Sequence, residues 1–458
     1  MRKLIYYSTA LVTVLAFSPA YAGTFDAFTP LASSVAGGSL PEDQPLQLSS
    51  PNFIQKTLNA NDLGAQNGNV KLGDNWDMNT LNENGPQAGR FLFTPYETSS
   101  AGVRRLDVQT GQAETIVANG TQGFVAGDAS RWTPFGTYLT AEESWGAGSS
   151  KGRLFEVTDP LAAPGATGFT ARTILPRVSH EGLAFDDENN LYFIDENNSG
   201  SIYKYVSSTP ANGATYYDAG ETYVLKANAA GDDALGAATW VKITNADGSA
   251  VNAAANVTIG GETFVDGRAA ADLAGGTAYN RPEDLEIKTV GGEQKLYFAA
   301  TASSTDGAGG VFAIGLTDAS NANVTLFANR NTNKKGTADA VGTEFLSPDN
   351  LAIDAFGNIY IVEDQPGGTA DIWFAYDIDF DGIAESLGRW ASLSTLGAEP
   401  TGLYFDPFRP NVAYVNVQHA GSDIDRTIMI SVIPEPVTFS LLLGGLGLMG
   451  TIARHRRV

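Results

Sequence analysis

Apolar positions along the chain gather into short, strand-sized cores rather than helix-long stripes. Six of these cores look alike: Phe91-Leu92-Phe93, Tyr138-Leu139-Thr140, Leu191-Tyr192-Phe193, Leu296-Tyr297-Phe298, Ile359-Tyr360-Ile361 and Ala413-Tyr414-Val415. Aromatic and branched residues suit a pleated, half-buried surface, and the Gly, Asn and Asp around them suit turns. The first residues of successive cores lie 47, 53, 105, 63 and 54 apart. A recurrence near 50 with one double-length gap is that of a four-stranded propeller blade, since the strands of a sandwich do not recur as a unit. A following strand is visible as well, as in Gly200 to Val206, Gly310 to Ile314, Asp371 to Tyr376 and Arg426 to Val432. The pattern predicts an all-β fold, a six-bladed β-propeller with insertions over residues 90–432. The long gap from Ser207 to Tyr279 holds one more strand candidate, Glu221 to Leu225, and then reads as an insertion. Residues 23–89 lack periodicity and are expected to wrap the propeller or supply its closing strand.

Composition narrows the partners. With 43% apolar and 17% charged residues the 458-residue chain can bury a large core. It has 0 Cys, which excludes a disulfide scaffold and a cysteine-attached haem, and its formal charge of -23 argues against nucleic acid as a partner. Residues 1–22 begin with Arg2 and Lys3, run apolar from Leu4 to Phe17 and end Ala20-Tyr21-Ala22, the layout of a secretory signal peptide. At the other end, Pro434-Glu435-Pro436 precedes a 17-residue apolar run, Val437 to Ala453, and then Arg454, Arg456 and Arg457. This tail resembles the PEP-CTERM sorting signal of Gram-negative bacteria. The resemblance implies transient anchoring in the inner membrane through the hydrophobic helix, processing by an exosortase and delivery to the surface; a plain tail anchor is the alternative. The body between the two signals keeps 23 Lys+Arg against 50 Asp+Glu, a formal -27. Such a field attracts divalent cations.

The chemistry recurs with the repeat. Four innermost strand candidates start at Leu183, Leu285, Leu351 and Leu403, and each has a polar lead-in: His180-Glu181-Gly182, Arg281-Pro282-Glu283-Asp284, Pro348-Asp349-Asn350 and Glu399-Pro400-Thr401-Gly402. Glu181, Glu283 and Asp349 stand two residues before the leucine. Because the second strand returns antiparallel, its end lies on the same rim, and those ends carry Glu97, Glu142-Glu143, Asp195-Glu196, Glu363-Asp364 and His419. Carboxylates crowded at one channel mouth repel one another unless cations sit between them, and hard oxygen ligands suit calcium. Any one of these acids reads as a solvated turn residue. The register-matched set predicts a metal site, with Asp195 and Glu399 among its ligands.

From Gly89 to Val432 the chain resembles the PhoX-type alkaline phosphatases. The matching pieces are Trp132-Thr133-Pro134-Phe135-Gly136-Thr137 running into Thr140-Ala141-Glu142-Glu143, His180-Glu181-Gly182, Ile202-Tyr203-Lys204-Tyr205-Val206, Asn280-Arg281-Pro282-Glu283, Ser347-Pro348-Asp349, Glu399-Pro400-Thr401-Gly402 and Gln418-His419-Ala420-Gly421. The resemblance implies a six-bladed propeller with a calcium and iron cluster in its channel, hydrolysing phosphate esters. It implies Glu142, Glu181, Glu283 and Asp349 as cluster ligands and Arg281 as the phosphate binder, so that Arg281 and Glu283 carry the catalysis. Arginine suits that task because its planar fork pairs two phosphate oxygens. Arg281 paired with Glu283 or Asp284 as a surface salt bridge is the bland alternative. His180 and His419 stay open between ligand and rim histidine. Where the family has an iron-holding cysteine this sequence has Ala141 and no other thiol, which puts the iron in doubt, and Arg2-Lys3 lacks the arginine pair by which iron-loaded members are exported folded.

Apart from the channel, Asp377, Asp379, Asp381 and Gly382 form the first half of an EF-hand-like loop, with Gly388 where the last glutamate belongs and Glu385 as a possible substitute. A peripheral calcium on Asp377, Asp379 and Asp381 is expected. Two functions follow: a secreted, calcium-based phosphomonoesterase, or a non-catalytic surface or matrix propeller stabilised by calcium.

Overall fold

The computed structural model describes residues 23–62, 73–143, 149–290, 292–302, 309–364 and 369–433. Among them the regular structure is nearly all strand, with a single eight-residue α-helix, Gly267–Ala274. The strands form antiparallel meanders of four, each strand pairing with the next in sequence. The first meander is Thr80–Leu81, Phe91–Pro95, Val103–Asp107 and Gln112–Val117, and the second runs from Gly127–Trp132 to Phe169–Ala171. A nine-stranded sheet holds two more, Leu183–Phe185 to Gly220–Ala227 and Pro282–Val290 to Asn321–Asn329, joined through the strand Gly236–Lys242. The fifth runs from Pro348–Ile353 to Ser386–Leu393. The last has only three consecutive strands, Glu399–Phe405, Val412–Gln418 and Arg426–Val432, and takes its fourth from Phe53–Ala60. Leu46–Leu48 extends the fifth meander at its outer edge. The fold is therefore all-β and propeller-like, and residues before 90 complete the last sheet and begin the first.

Alternating apolar residues on the two faces of each meander meet those of its neighbours. Phe93 and Val103 pack with Trp132 and Tyr138, Leu139 and Leu154 with Leu191 and Phe193, and Ile194 and Leu225 with Leu296 and Phe298. Tyr297 and Phe327 pack with Ile361 and Trp373, and Tyr360 and Trp390 with Val415 and Ile428. Val412 and Tyr414 then pack against Leu92 and Leu106, joining the last meander to the first. The same junction buries Arg104, whose guanidinium lies 3.5 Å over the Trp76 ring and donates to Asn59, Thr94, Asn416 and Thr427. Burial pushes its pKa down to about 9.

The long gap in the repeat holds the outer strand of the third meander, the joining strand, a hairpin of Asn256–Ile259 with Glu262–Val265, and the helix. Asp266 caps that helix by accepting from the Ala269 N–H, and Gly275 ends it at φ 71°. No helix among the described residues is long and apolar enough to cross a membrane. The expected signal peptide, residues 1–22, and the run Val437 to Ala453, on which the expected membrane helix falls, lie outside the described residues.

Candidate active site

Each meander carries a carboxylate at or just before its innermost strand: Asp77, Asp128, Glu181, Glu283, Asp349 and Glu399. All six line one cavity of about 370 Å³. Two residues before five of the six the backbone turns sharply, with φ of 52° at Asn75, 40° at Ala126, 49° at Arg281, 45° at Ser347 and 74° at Gly397. Left-handed φ costs a non-glycine residue roughly 1–2 kcal/mol, so the chain holds unfavourable backbone where it aims these acids. The residues two before the cavity acids also hold a second set. The N–H groups of Glu97, Glu143, Glu196 and Asp364 donate to the carbonyls of Asn75, Ala126, Ser179 and Ser347 at 2.9, 2.9, 2.8 and 3.0 Å, and these four acids also line the cavity. After Glu283 and Asp349 the next residue links its meander to the following one. Asp284 accepts from the Leu351 N–H at 3.0 Å, and Asn350 accepts from the Gly402 N–H at 2.7 Å. Gly182 occupies the equivalent place, where a Cβ would lie 2.4 Å from the Leu285 nitrogen.

Among the described residues the lining thus holds ten carboxylates against Arg281 and His419. Burial, followed by Glu97, lifts the Asp77 pKa to about 7, and burial lifts Glu283 to about 7 against the opposing pull of Arg281. Asp128, Glu181, Glu196, Asp349 and Glu399 also stand well above their usual range, each through burial first and neighbouring acids or hydrogen bonds next. Like charges this close cannot all ionise in a buried cavity without added positive charge. Several oxygens are also unsatisfied, among them one each of Asp128, Glu196 and Asp364. Oxygens of Glu181, Glu283 and Asp349 lie within 4.8 Å of one another, a spacing one cation with ligands at about 2.3–2.6 Å can span. The donor set fits a hard metal ion.

Arg281 stands on this wall with its Nη2 2.6 Å from Glu196 and its Nε 3.1 Å from Glu283, whose Oε1 also accepts from Thr301 at 2.6 Å. Asp284 is not its partner. His419 lines the cavity 3.7 Å from Glu97 and 3.4 Å from Glu399, and the hydrogen bond to Glu97 raises its pKa. His180 is buried beside Phe193, and burial pushes it down to about 3.

Glu142 and Asp195 do not line the cavity. Each is the acid before the one that does, and strand alternation turns it into the protein. Glu142 is held by Arg153 at 2.6 and 2.9 Å and by the Val125 and Arg153 N–H groups. Asp195 is gripped by Arg268 of the inserted helix through two bonds of 2.7 Å. Glu363 likewise accepts from Leu346, Asp371 and Trp373, leaving Asp364 to the cavity. Ala141 is wholly buried in an apolar cluster with Ala129 and Leu139. In the peripheral loop, Asp377 and Asp379 group with Glu385 rather than with Asp381.

Asp77 and Asp128 are cavity acids that the leucine register did not reveal, because Asn79 and Ser130 stand where the key residue was sought. A different spacing carries the signal: Asp128 and Glu143, Glu181 and Glu196, and Asp349 and Asp364 are each 15 residues apart, the length of one strand, turn and returning strand.

No curated protein matches the chain. Among solved structures it is similar to a structural genomics protein of unknown function from Bacteroides thetaiotaomicron, at 12% identity and TM-score 0.41, covering 87% of this chain and 75% of that one. It is similar too to the PQQ-bound aldose sugar dehydrogenase from Streptomyces coelicolor, at 12% identity and TM-score 0.41 over 83% and 98%. An α-L-arabinofuranosidase from Fusarium graminearum aligns at 9% identity and TM-score 0.38 over 78% and 93%. The PEP-CTERM protein-sorting motif matches residues 432–457 and marks an exported, surface-directed protein. The family model for alkaline phosphatase PhoX matches residues 100–421, which contain eight of the ten described cavity acids, all but Asp77 and Glu97, together with Arg281 and His419.

 With its cavity wall and most of its length inside that match, the chain belongs to the alkaline phosphatase PhoX family.

Proposed function

We propose that the cavity hydrolyses phosphate monoesters, with calcium held by Glu181, Glu283 and Asp349 and supported by Asp77, Asp128 and Glu399. The observation that carries the reading is Arg281, the one guanidinium among the described residues of a wall dominated by ten carboxylates. Its backbone is fixed by φ 49° and the following Pro282, and its side chain lies between Glu196 and Glu283. Bound cations would offset the charge of the acids and of the phosphoryl oxygens as the ester breaks. Arg281 would then turn its planar fork from the carboxylates to two phosphate oxygens, orienting the ester. Thr301, bonded to Glu283, holds that carboxylate in place.

Iron is not part of this reading, because Ala141 offers a methyl group inside an apolar cluster. The same residue favours the second reading, a propeller that keeps its calcium as a structural element without turnover. In both, the meanders are the six blades of one closed propeller, supported by the apolar cluster that joins the last to the first and by the closing strand Phe53–Ala60. Exosortase processing after transient membrane anchoring would release the protein to the surface. The test is phosphate release from a simple monoester by the metal-stripped protein, before and after calcium is returned. Calcium-restored turnover supports the enzyme; calcium binding without turnover under any divalent metal supports the structural reading.

A further inference from the structure

The loop between Asp371–Tyr376 and Ser386–Leu393 belongs to no part of the cavity lining, yet it brings a second group of acids together. Oxygens of Asp377, Asp379 and Glu385 lie within 4.8 Å of one another. Asp377 is only 9% exposed, and both of its carboxylate oxygens are buried without a hydrogen-bond partner. An isolated buried carboxylate is costly unless it is paired, protonated or bound to a metal. The ammonium of Lys288 lies 4.9 Å over the Phe380 ring and leaves both Asp377 oxygens unbonded.

The rest of the loop is built around that carboxylate. The Ile378 N–H donates to Glu385 Oε2 at 2.9 Å, folding the end of the loop onto its start. Gly382 turns at φ 88°, and Asp381 accepts from the Ile383 N–H at 2.8 Å, so it shapes the turn and is not in the acid group. We propose that Asp377, Asp379 and Glu385 bind one calcium ion, at a site separate from the catalytic cavity. Three carboxylates in an open loop leave room for carbonyls and water, which suits the large, flexible coordination shell of calcium better than the strict octahedron of magnesium. An affinity of about 0.1–1 mM is expected, the range of extracellular calcium modules.

Hydrogen exchange of the purified full-length protein tests this, comparing metal-free, magnesium and calcium buffers. Calcium, and not magnesium, is expected to slow exchange across residues 377–385. The double variant Asp379→Asn with Glu385→Gln should lose that protection and bind one calcium fewer per chain by equilibrium dialysis, with exchange in the cavity strands unchanged. Indifference of the wild-type loop to calcium overturns the proposal without any variant. So does a double variant that keeps both the protection and the full calcium count.

Discussion

Stripping metal from the cavity should make the protein's stability fall as pH rises. Burial and neighbouring charge lift Asp77 from 3.8 to about 7 and Glu283 from 4.5 to about 7. At 1.36 kcal/mol per pKa unit, each shift is worth roughly 3–4 kcal/mol. The two share one cavity and do not add fully, so the pair is worth on the order of 5 kcal/mol. For a group whose folded pKa is raised, this stability is fully present below the unfolded value, near 4, and is lost as pH climbs through the folded value, near 7. The raised values of Asp128, Glu181 and Asp349 act in the same direction. On the proposed reading calcium would bind the ionised acids, so its stabilisation should grow with pH, reaching roughly 2.7 kcal/mol at about 100 times its dissociation constant. Thermal melts from pH 5 to pH 9 in metal-stripped buffer, with and without calcium, measure both effects. A metal-free melting temperature that is flat or rises across this range would refute the reasoning, since it would mean the wall acids are solvated and ordinary.

Further consequences are separable. Glu181→Gln with Asp349→Asn should abolish most of the calcium-induced rise in melting temperature while making the metal-free protein more stable at pH 8, read from the same melts. Arg281→Lys keeps the charge but loses the fork, and kcat/KM for a phosphate monoester should drop by about 1–3 kcal/mol of binding to a charged partner, roughly 10- to 100-fold, with an unchanged melting curve. Arg104→Met should cost roughly 3 kcal/mol by removing the hydrogen bonds that its guanidinium gives to Asn59, Thr94, Asn416 and Thr427, seen in denaturant unfolding. Gly182→Ala places a Cβ 2.4 Å from the Leu285 nitrogen, so it should destabilise by about 1–3 kcal/mol and weaken calcium binding next door at Glu181.

The strand cores were legible because each pairs a tyrosine or phenylalanine with aliphatic neighbours on the two buried faces of a blade, as Leu191 to Phe193 and Ile359 to Ile361 do. The carboxylates at Glu181, Glu283 and Asp349 were legible because a leucine two residues on marked the start of the innermost strand. Asp77 escaped because its meander opens with a strand of only two residues, Thr80–Leu81, ahead of the first repeated core. The choice between Glu142 and Glu143, or Asp195 and Glu196, depends on which face of the strand end meets the cavity. Paired acids in sequence leave that open, and it is settled by the arginines, Arg153 and Arg268, that claim one of each pair. Arg268 sits 73 residues from Asp195 on an inserted helix, a partnership no local pattern announces.

The most direct test of the central claim is steady-state phosphate release from a monoester by the purified protein in calcium, beside Arg281→Ala with its fold and calcium content verified. The account predicts turnover that chelation removes and calcium restores, and at least a 100-fold lower kcat/KM in the variant, about 3 kcal/mol for a charged hydrogen-bonding group. Turnover unchanged by Arg281→Ala, or no turnover by the calcium-loaded wild type, would contradict it.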